Sequence, residues 1–98
     1  ISGGFNVFPA DIETIVGEHE DVSDVTVIGV PHEKWGETPL ALIIPRGDAD
    51  AAGICAWANE RLAKHQRLSN VEFREEFPRN ALGKVLKRIL RDEIEERA

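Results

Sequence analysis

Two short apolar stretches, VTVI at residues 25–28 and LALII at residues 40–44, decide the fold of this chain. Neither stretch alternates with charged residues, which is typical of strands that are covered on both faces. The first strand is predicted over residues 22–30 and ends at Pro31, because proline interrupts a strand ladder. Residues 32–38 are predicted to form a loop. The sequence therefore indicates a sheet with helices packed against it.

Helical spacing and turn residues predict the elements around these strands. A first helix is predicted over about residues 9–19, with Pro9 in its first turn. A second helix is predicted to start after the N-cap residue Asp50 and to continue through about His65. We expect both helices to place an apolar side on the sheet.

The C-terminal third is predicted to add one strand and one helix. Val71 and Phe73 alternate with charged residues, which describes a strand with one wet face. A final helix is predicted with its apolar residues on one side, namely Val85, Leu86, Ile89, Leu90 and Ile94. Together with a hairpin-like turn at residues 2–4, this order predicts an α+β fold with a small three-stranded sheet packed with helices.

Length and charge exclude several classes of function. A chain of 98 residues is predicted to be one domain, residues 1–98. Its net charge of −6 provides no positive field for nucleic acid, and no apolar run is long enough to span a membrane. We expect a soluble, cytoplasmic domain, because Cys55 is the single cysteine and fits a reducing compartment.

The start of the chain and the placement of its histidines carry two further expectations. Ile1 stands in place of an initiator methionine, so we interpret the chain as a fragment of a longer protein. His19, His32 and His65 lack the spacing of metal ligands, and no metal site is expected. A domain of this size has little room for a deep pocket, so its chemistry would be completed from outside.

Lys84 is the sharpest candidate for chemistry. It follows Gly83 at the end of a loop that begins at Pro78, and a lysine ammonium on a flexible stem suits a reaction that builds negative charge on a phosphate. The alternative is a solvated lysine at a helix start. Three further cations share its predicted side of the last helix, namely Lys87, Arg88 and Arg91, and this stripe fits either an anionic ligand or a solvated face.

Two other features admit a functional and a structural interpretation. Gly3 and Gly4 fit a hairpin turn, or a surface where a ligand passes close to exposed backbone. Trp35 fits a partly buried anchor or a stacking platform. The residues alone leave both pairs of alternatives open.

Three segments in order resemble the C-terminal domain of the adenylate-forming superfamily. The first is ISGGFNVFPADIE at residues 1–13, and the second runs from VIGVP at residues 27–31 to KWGE at residues 34–37. The third runs from VEF at residues 71–73 to the GKVLKR stretch at residues 83–88. Members of this superfamily include acyl- and aryl-CoA synthetases, peptide-synthetase adenylation domains and luciferases.

The resemblance implies a two-step ligase in which this domain is a lid. A carboxylic acid substrate reacts with ATP, held with Mg²⁺ mainly by the enzyme's own N-terminal domain, and the acyl-adenylate then reacts with coenzyme A. Lys84 corresponds to the lysine that serves adenylation. Gly3, Gly4 and Phe5 correspond to residues that line the pantetheine tunnel. Asn6 falls near the nucleotide, and Trp35 near coenzyme A.

The resemblance also implies limits and one regulatory contact. A fatty or aryl acid is favoured as substrate, and the isolated chain is expected to be inactive. The spacing from Pro78 to Lys84 matches a pattern whose lysine is acetylated in bacterial relatives, so an acetyltransferase and a deacetylase are expected partners. Two alternatives stay open: an amino-acid adenylation domain of a peptide synthetase, and a non-catalytic module that binds coenzyme A or docks a protein.

Overall fold

The computed structural model describes residues 7–34 and 36–97. Its helices and strands, in chain order, are α1 (Pro9–Val16), β1 (Val22–His32), β2 (Gly36–Pro45), α2 (Ala51–Arg61), β3 (Asn70–Phe73) and α3 (Lys87–Arg97). The sheet has the order β1-β2-β3, in which β1 pairs antiparallel with β2 and β3 pairs parallel with β2. The predicted α+β class is confirmed. The predicted turn at residues 2–4 lies outside the described residues.

The two apolar stretches supply both faces of the sheet, as their composition predicts. Successive side chains of a strand point to opposite faces, so each stretch contributes to two cores. The first core lies between the sheet, α1 and α2, and its buried sheet residues are Val22, Val27, Ala41, Ile43 and Val71. The second lies between the sheet and α3, and its members are Ile28, Leu40, Leu42, Phe77 and Leu90. Burial of each large aliphatic side chain stabilises the fold by about 1.5–3 kcal/mol.

The predicted loop over residues 32–38 is wrong at both ends. β1 continues through Pro31 to His32, and β2 already begins at Gly36, with His32 paired to Gly36 and Pro31 to Glu37. Proline is tolerated there because β1 is an edge strand, where a missing N–H removes no bond to a neighbouring strand. The cross-strand pairing therefore extends the hairpin beyond the apolar stretches.

The helices are shorter than their apolar spacing predicts. α1 ends at Val16, and α2 ends at Arg61, where Leu62 turns to an extended conformation and is buried. Asp50 is the N-cap of α2, as predicted, and its carboxylate accepts a hydrogen bond from the N–H of Gly53 at 3.1 Å. A single 3₁₀ turn, Lys64–Gln66, then leads toward β3.

The final helix also starts later than predicted. Val85 and Leu86 precede α3, because Val85 forms a bridge with Arg79 and the N–H of Leu86 donates to the carbonyl of Pro78 at 2.8 Å. Leu90 and Ile94 face the second core, whereas Ile89 is exposed. Within the two described ranges, the structure has no helix that is long and apolar enough to cross a membrane.

Candidate functional site

Lys84 lies in a narrow loop that pairs with itself before α3. The backbone of residue 79 bridges to that of residue 85, and the N–H of Asn80 donates to the carbonyl of Lys84 at 2.9 Å. Gly83 has φ of +88°, a conformation that favours glycine because other residues are strained there. The loop is thus a closed turn whose shape is set by its own residues.

The side chain of Asn80 fills the inside of this turn. Its Oδ1 atom accepts hydrogen bonds from the N–H of Leu82 at 2.9 Å and from the N–H of Lys84 at 3.0 Å. Asparagine is a common turn residue because its side chain can accept from backbone N–H groups a few residues further on. The backbone N–H and the backbone carbonyl of Lys84 are consequently both hydrogen-bonded to Asn80.

Arg79 connects the same turn to the edge of the sheet. Its Nη1 donates to the carbonyl of Gly83 at 2.9 Å, and its Nη2 donates to the carboxylate of Asp24 on β1 at 2.5 Å. The fork of a guanidinium suits such a bridge because its donors have a fixed geometry. The Arg79 side chain therefore helps to fix the position of the turn relative to β1, in addition to the backbone connection.

The Lys84 side chain is exposed and borders an open groove of about 670 Å³. The groove runs between α1, the edge of β1 and the start of α3, and Arg88 also borders it. Among residues 7–34 and 36–97, no side chain is assigned a hydrogen bond or an ion pair with the Lys84 amine. Its ammonium is available to a ligand or to another domain.

The ammonium of Lys87 is bonded within the domain, so neither alternative for the basic stripe, an anionic ligand or a solvated face, holds at this residue. Its Nζ lies 2.8 Å from Oε2 of Glu13 on α1 and 3.0 Å from the carbonyl oxygen of Val27 on β1. The same Glu13 oxygen accepts from the N–H of Val27 at 2.8 Å. Lys87 stands at the first position of α3, from which its side chain reaches back across the edge of β1.

The Glu13–Lys87 ion pair thereby replaces a neighbouring strand for one residue of the sheet edge. The N–H and C=O of a strand residue point to the same side, and at an edge they need other partners. Glu13 satisfies the N–H of Val27, and Lys87 satisfies its C=O. The pair joins α1, β1 and α3 at the wall of the groove that Lys84 borders.

The remaining predicted site residues, Gly3, Gly4, Phe5, Asn6 and Trp35, lie outside the described residues. Described residues within three positions of them in the sequence line a second, smaller cleft. Its lining includes Val7 and Pro9 from the segment that follows residue 6, and Glu37 from the start of β2. The lining of this cleft shares no residue with the groove that Lys84 borders.

The described part of the chain contains no group of three or more histidine, cysteine or acidic side chains that could hold a metal ion.

Sequence interpretation assigned no role to Asn80, Arg79, Asp24 or Glu13. Asn80 carries a local signal, since an asparagine followed three residues later by glycine is typical of such turns. The Arg79–Asp24 contact and the contacts of Glu13 with Val27 and Lys87 join residues that are distant in the sequence.

The structure thus combines a small α+β fold with Lys84 presented on a closed turn beside the sheet. The family model for the AMP-binding enzyme C-terminal domain matches residues 11–84. The chain belongs to this family.

Its relatives are ligases that are much longer than this chain. The 2-succinylbenzoate–CoA ligase of Bacillus cereus (strain Q1) is 40% identical over 96 residues, which are 98% of this chain and 20% of that protein. A long-chain-fatty-acid–CoA ligase of Mycobacterium tuberculosis is 42% identical over 94 residues, 95% of this chain and 19% of the ligase. This chain spans about a fifth of their length.

Solved structures show the same fold. Apo MatB from Rhodopseudomonas palustris superposes with a TM-score of 0.92 at 36% identity, over 98% of this chain and 20% of that one. The o-succinylbenzoate CoA synthetase of Bacillus subtilis, in complex with its acyl-adenylate intermediate, gives 0.86 at 34% identity, over 94% and 19%. The resemblance seen in the three sequence segments is confirmed.

Proposed function

We propose that this chain is the lid of an AMP-forming acyl-CoA ligase and that Lys84 is its catalytic residue for adenylation. The observation that carries the proposal is the placement of Lys84: a free ammonium on a closed turn, at the border of an open groove. Family membership supports it, because the relatives named above are CoA ligases.

In the first step, a carboxylate oxygen of the acid attacks the α-phosphorus of ATP. An acyl–oxygen–phosphorus bond forms, the bond to the β-phosphate oxygen breaks, and pyrophosphate leaves. Negative charge builds up on the oxygens of the α-phosphate during this transfer. A lysine ammonium held nearby lowers the barrier by neutralising that charge and orienting the reactants.

In the second step, the thiol of coenzyme A attacks the acyl carbon and AMP leaves. We assign this step to a surface other than the groove of Lys84, with Gly3, Gly4 and Phe5 lining the path of the thiol arm, Asn6 near the nucleotide and Trp35 near coenzyme A. The cleft lined by Val7, Pro9 and Glu37 supports this assignment, because its lining shares no residue with the groove of Lys84.

The substrate is proposed to be a fatty or aryl acid. Both kinds occur among the relatives, one named for 2-succinylbenzoate and one for long-chain fatty acids. ATP, with Mg²⁺, and the acid would be held mainly by an N-terminal domain, the principal partner of this lid. A cytoplasmic location fits these substrates and the single cysteine.

Lys84 is also proposed as a target for a lysine acetyltransferase and a deacetylase. Its side chain is exposed on the turn that starts at Pro78, so a modifying enzyme could reach it. Acetylation would remove the charge that adenylation needs. Incubation of the full-length ligase with an acetyltransferase of the native host, followed by mass spectrometry, should detect acetyl-Lys84, and an unmodified Lys84 would contradict the idea.

The test of the catalytic proposal is Lys84→Ala in the full-length ligase. ATP–pyrophosphate exchange should fall by at least ~100-fold, as for loss of a preorganised charge. Thioester formation from supplied acyl-adenylate should survive. Lys64→Ala, which removes an exposed lysine of the 3₁₀ turn, is the matched control. An equal loss in both half-reactions would show that the role is wrong.

A further inference from the structure

Asn80 is hydrogen-bonded to both the N–H and the carbonyl of Lys84, and the proposed function gives Asn80 no role. Its Oδ1 atom accepts from the N–H of Lys84 at 3.0 Å, and its own N–H donates to the Lys84 carbonyl at 2.9 Å. Its carbonyl also accepts from the N–H of Gly83 at 3.0 Å. Because the partners of Oδ1 are N–H donors, the side-chain oxygen rather than the amide nitrogen faces the turn.

These bonds serve the turn and not the core of the domain. Asn80 is exposed, and among residues 7–34 and 36–97 its side chain accepts hydrogen bonds from Leu82 and Lys84 alone. Substitution at this position consequently removes no packing from either core. Its predicted effect is confined to the conformation of residues 80–84.

We propose that Asn80 is a positioning residue, whose side-chain oxygen fixes the backbone from which Lys84 reaches the reacting phosphate. The inference rests on the proposed role of Lys84. Without Oδ1, the N–H groups of Leu82 and Lys84 bond to water, and the turn gains conformations that move the root of the lysine. A misplacement of about 1 Å can cost ~100-fold in rate, because the group no longer meets the developing charge.

Arg79 fixes where the turn lies and does not fix its internal shape. Its bonds to the Gly83 carbonyl and to Asp24 fix the whole turn relative to β1, whereas Asn80 fixes its internal shape. Asn80→Ala should therefore slow adenylation even though the contact between Arg79 and Asp24 is retained.

The experiment compares Asn80→Ala with Asn80→Ser in the full-length ligase. Serine keeps an oxygen that can accept from the turn, although more weakly than asparagine. We expect Asn80→Ala to lower kcat of adenylation by about 10- to 100-fold, with KM for ATP unchanged within about twofold and thioester formation from acyl-adenylate intact. Asn80→Ser should recover most of the lost kcat.

Asn59→Ala is the matched structural control. Like Asn80, Asn59 bonds to backbone through its side chain. Its Nδ2 donates to the Leu68 carbonyl at 3.1 Å, and its Oδ1 accepts from the Leu68 N–H at 2.8 Å. It clips α2 to the segment before β3. This variant should lower the melting temperature and leave the ratio of the two half-reactions unchanged.

Lys84→Ala, measured in parallel, separates the inference from the function on which it rests. If Lys84→Ala abolishes adenylation and Asn80→Ala does not reduce it, the positioning role is overturned while the catalytic role stands. If Asn80→Ala lowers both half-reactions together, in step with melting temperature, the role is structural and the inference also fails. If Lys84→Ala leaves adenylation intact, both fall.

Discussion

Removal of the Glu13 carboxylate should destabilise the domain more than any other substitution of an acidic residue described above. Glu13→Ala takes the hydrogen-bond acceptor away from the N–H of Val27, a residue that is only 1% exposed. It also leaves Lys87 without its ionic partner. Both losses fall at the edge of β1, where no neighbouring strand can compensate.

The expected magnitude follows from these two contacts. A buried N–H without an acceptor costs about 1–3 kcal/mol. The ion pair adds only about 0.5–1 kcal/mol, because the Lys87 side chain is 33% exposed and can turn to water. The free energy of unfolding should fall by about 1.5–4 kcal/mol, a large share of the roughly 5–15 kcal/mol of a typical domain.

Two further variants separate the two contributions. Glu13→Gln keeps an oxygen for the Val27 N–H and loses only the charge, so it should cost about 1 kcal/mol or less. Lys87→Met keeps the aliphatic stem and removes the donor to the Val27 carbonyl, which should cost about 1–2 kcal/mol. Because Glu13 and Lys87 contact each other, the loss in the double variant should be smaller than the sum of the single losses.

Urea unfolding followed by far-ultraviolet circular dichroism measures these differences. Glu18→Ala is the control, since Glu18 is exposed and should change stability by less than about 0.5 kcal/mol. Equal losses for Glu13→Ala and Glu13→Gln would refute the claim that the backbone bond dominates. Strict additivity of Glu13→Ala and Lys87→Met would refute the ion pair.

The remaining predictions concern Gly83 and Cys55. Gly83 and Gly47 both have positive φ and open space around the position of a Cβ atom, so each change to alanine should cost about 1 kcal/mol in urea unfolding. Only Gly83→Ala should also slow adenylation, because Gly83 precedes Lys84, and equal activity of the two variants would contradict this. Burial raises the pKa of the Cys55 thiol, so the folded chain keeps a proton that the unfolded chain has lost, and stability should fall as pH rises through the ordinary range of a thiol. Cys55→Ala should remove this part of the pH dependence in urea unfolding between neutral pH and about pH 10, and an unchanged slope would contradict the assignment.

The strands could be predicted because their signal is local. Val27 and Ile28 face different cores, as do Ala41 and Leu42, so an apolar run without alternation is what the sheet requires. The extension of the hairpin to His32 and Gly36 could not be predicted, because these residues have no preference for strands. They are held by pairing with each other, and pairing is a property of two segments together.

The candidate site likewise has a part that is local in sequence and could be predicted, and a part that depends on distant residues and could not. Lys84 and its turn are local in sequence, and the Asn80 side chain acts within four residues, so its role was accessible to turn chemistry. The contact of Lys87 with Glu13 spans 74 residues, and helical spacing alone placed Lys87 in a basic stripe opposite the apolar residues. That placement failed because α3 begins at Lys87, where the side chain reaches past the helix end to the sheet edge.

The most direct test of the account is the ratio of ATP–pyrophosphate exchange to thioester formation in the full-length ligase, measured for Lys84→Ala and Gly4→Leu on folded protein. Lys84→Ala should lower the ratio by at least ~100-fold, because it removes charge stabilisation from the first step alone. Gly4→Leu should raise it, because a side chain at the proposed path of the thiol arm would block the second step and spare the first. A ratio that moves in the same direction for both variants, or in neither, would contradict a lid that serves the two steps with different faces.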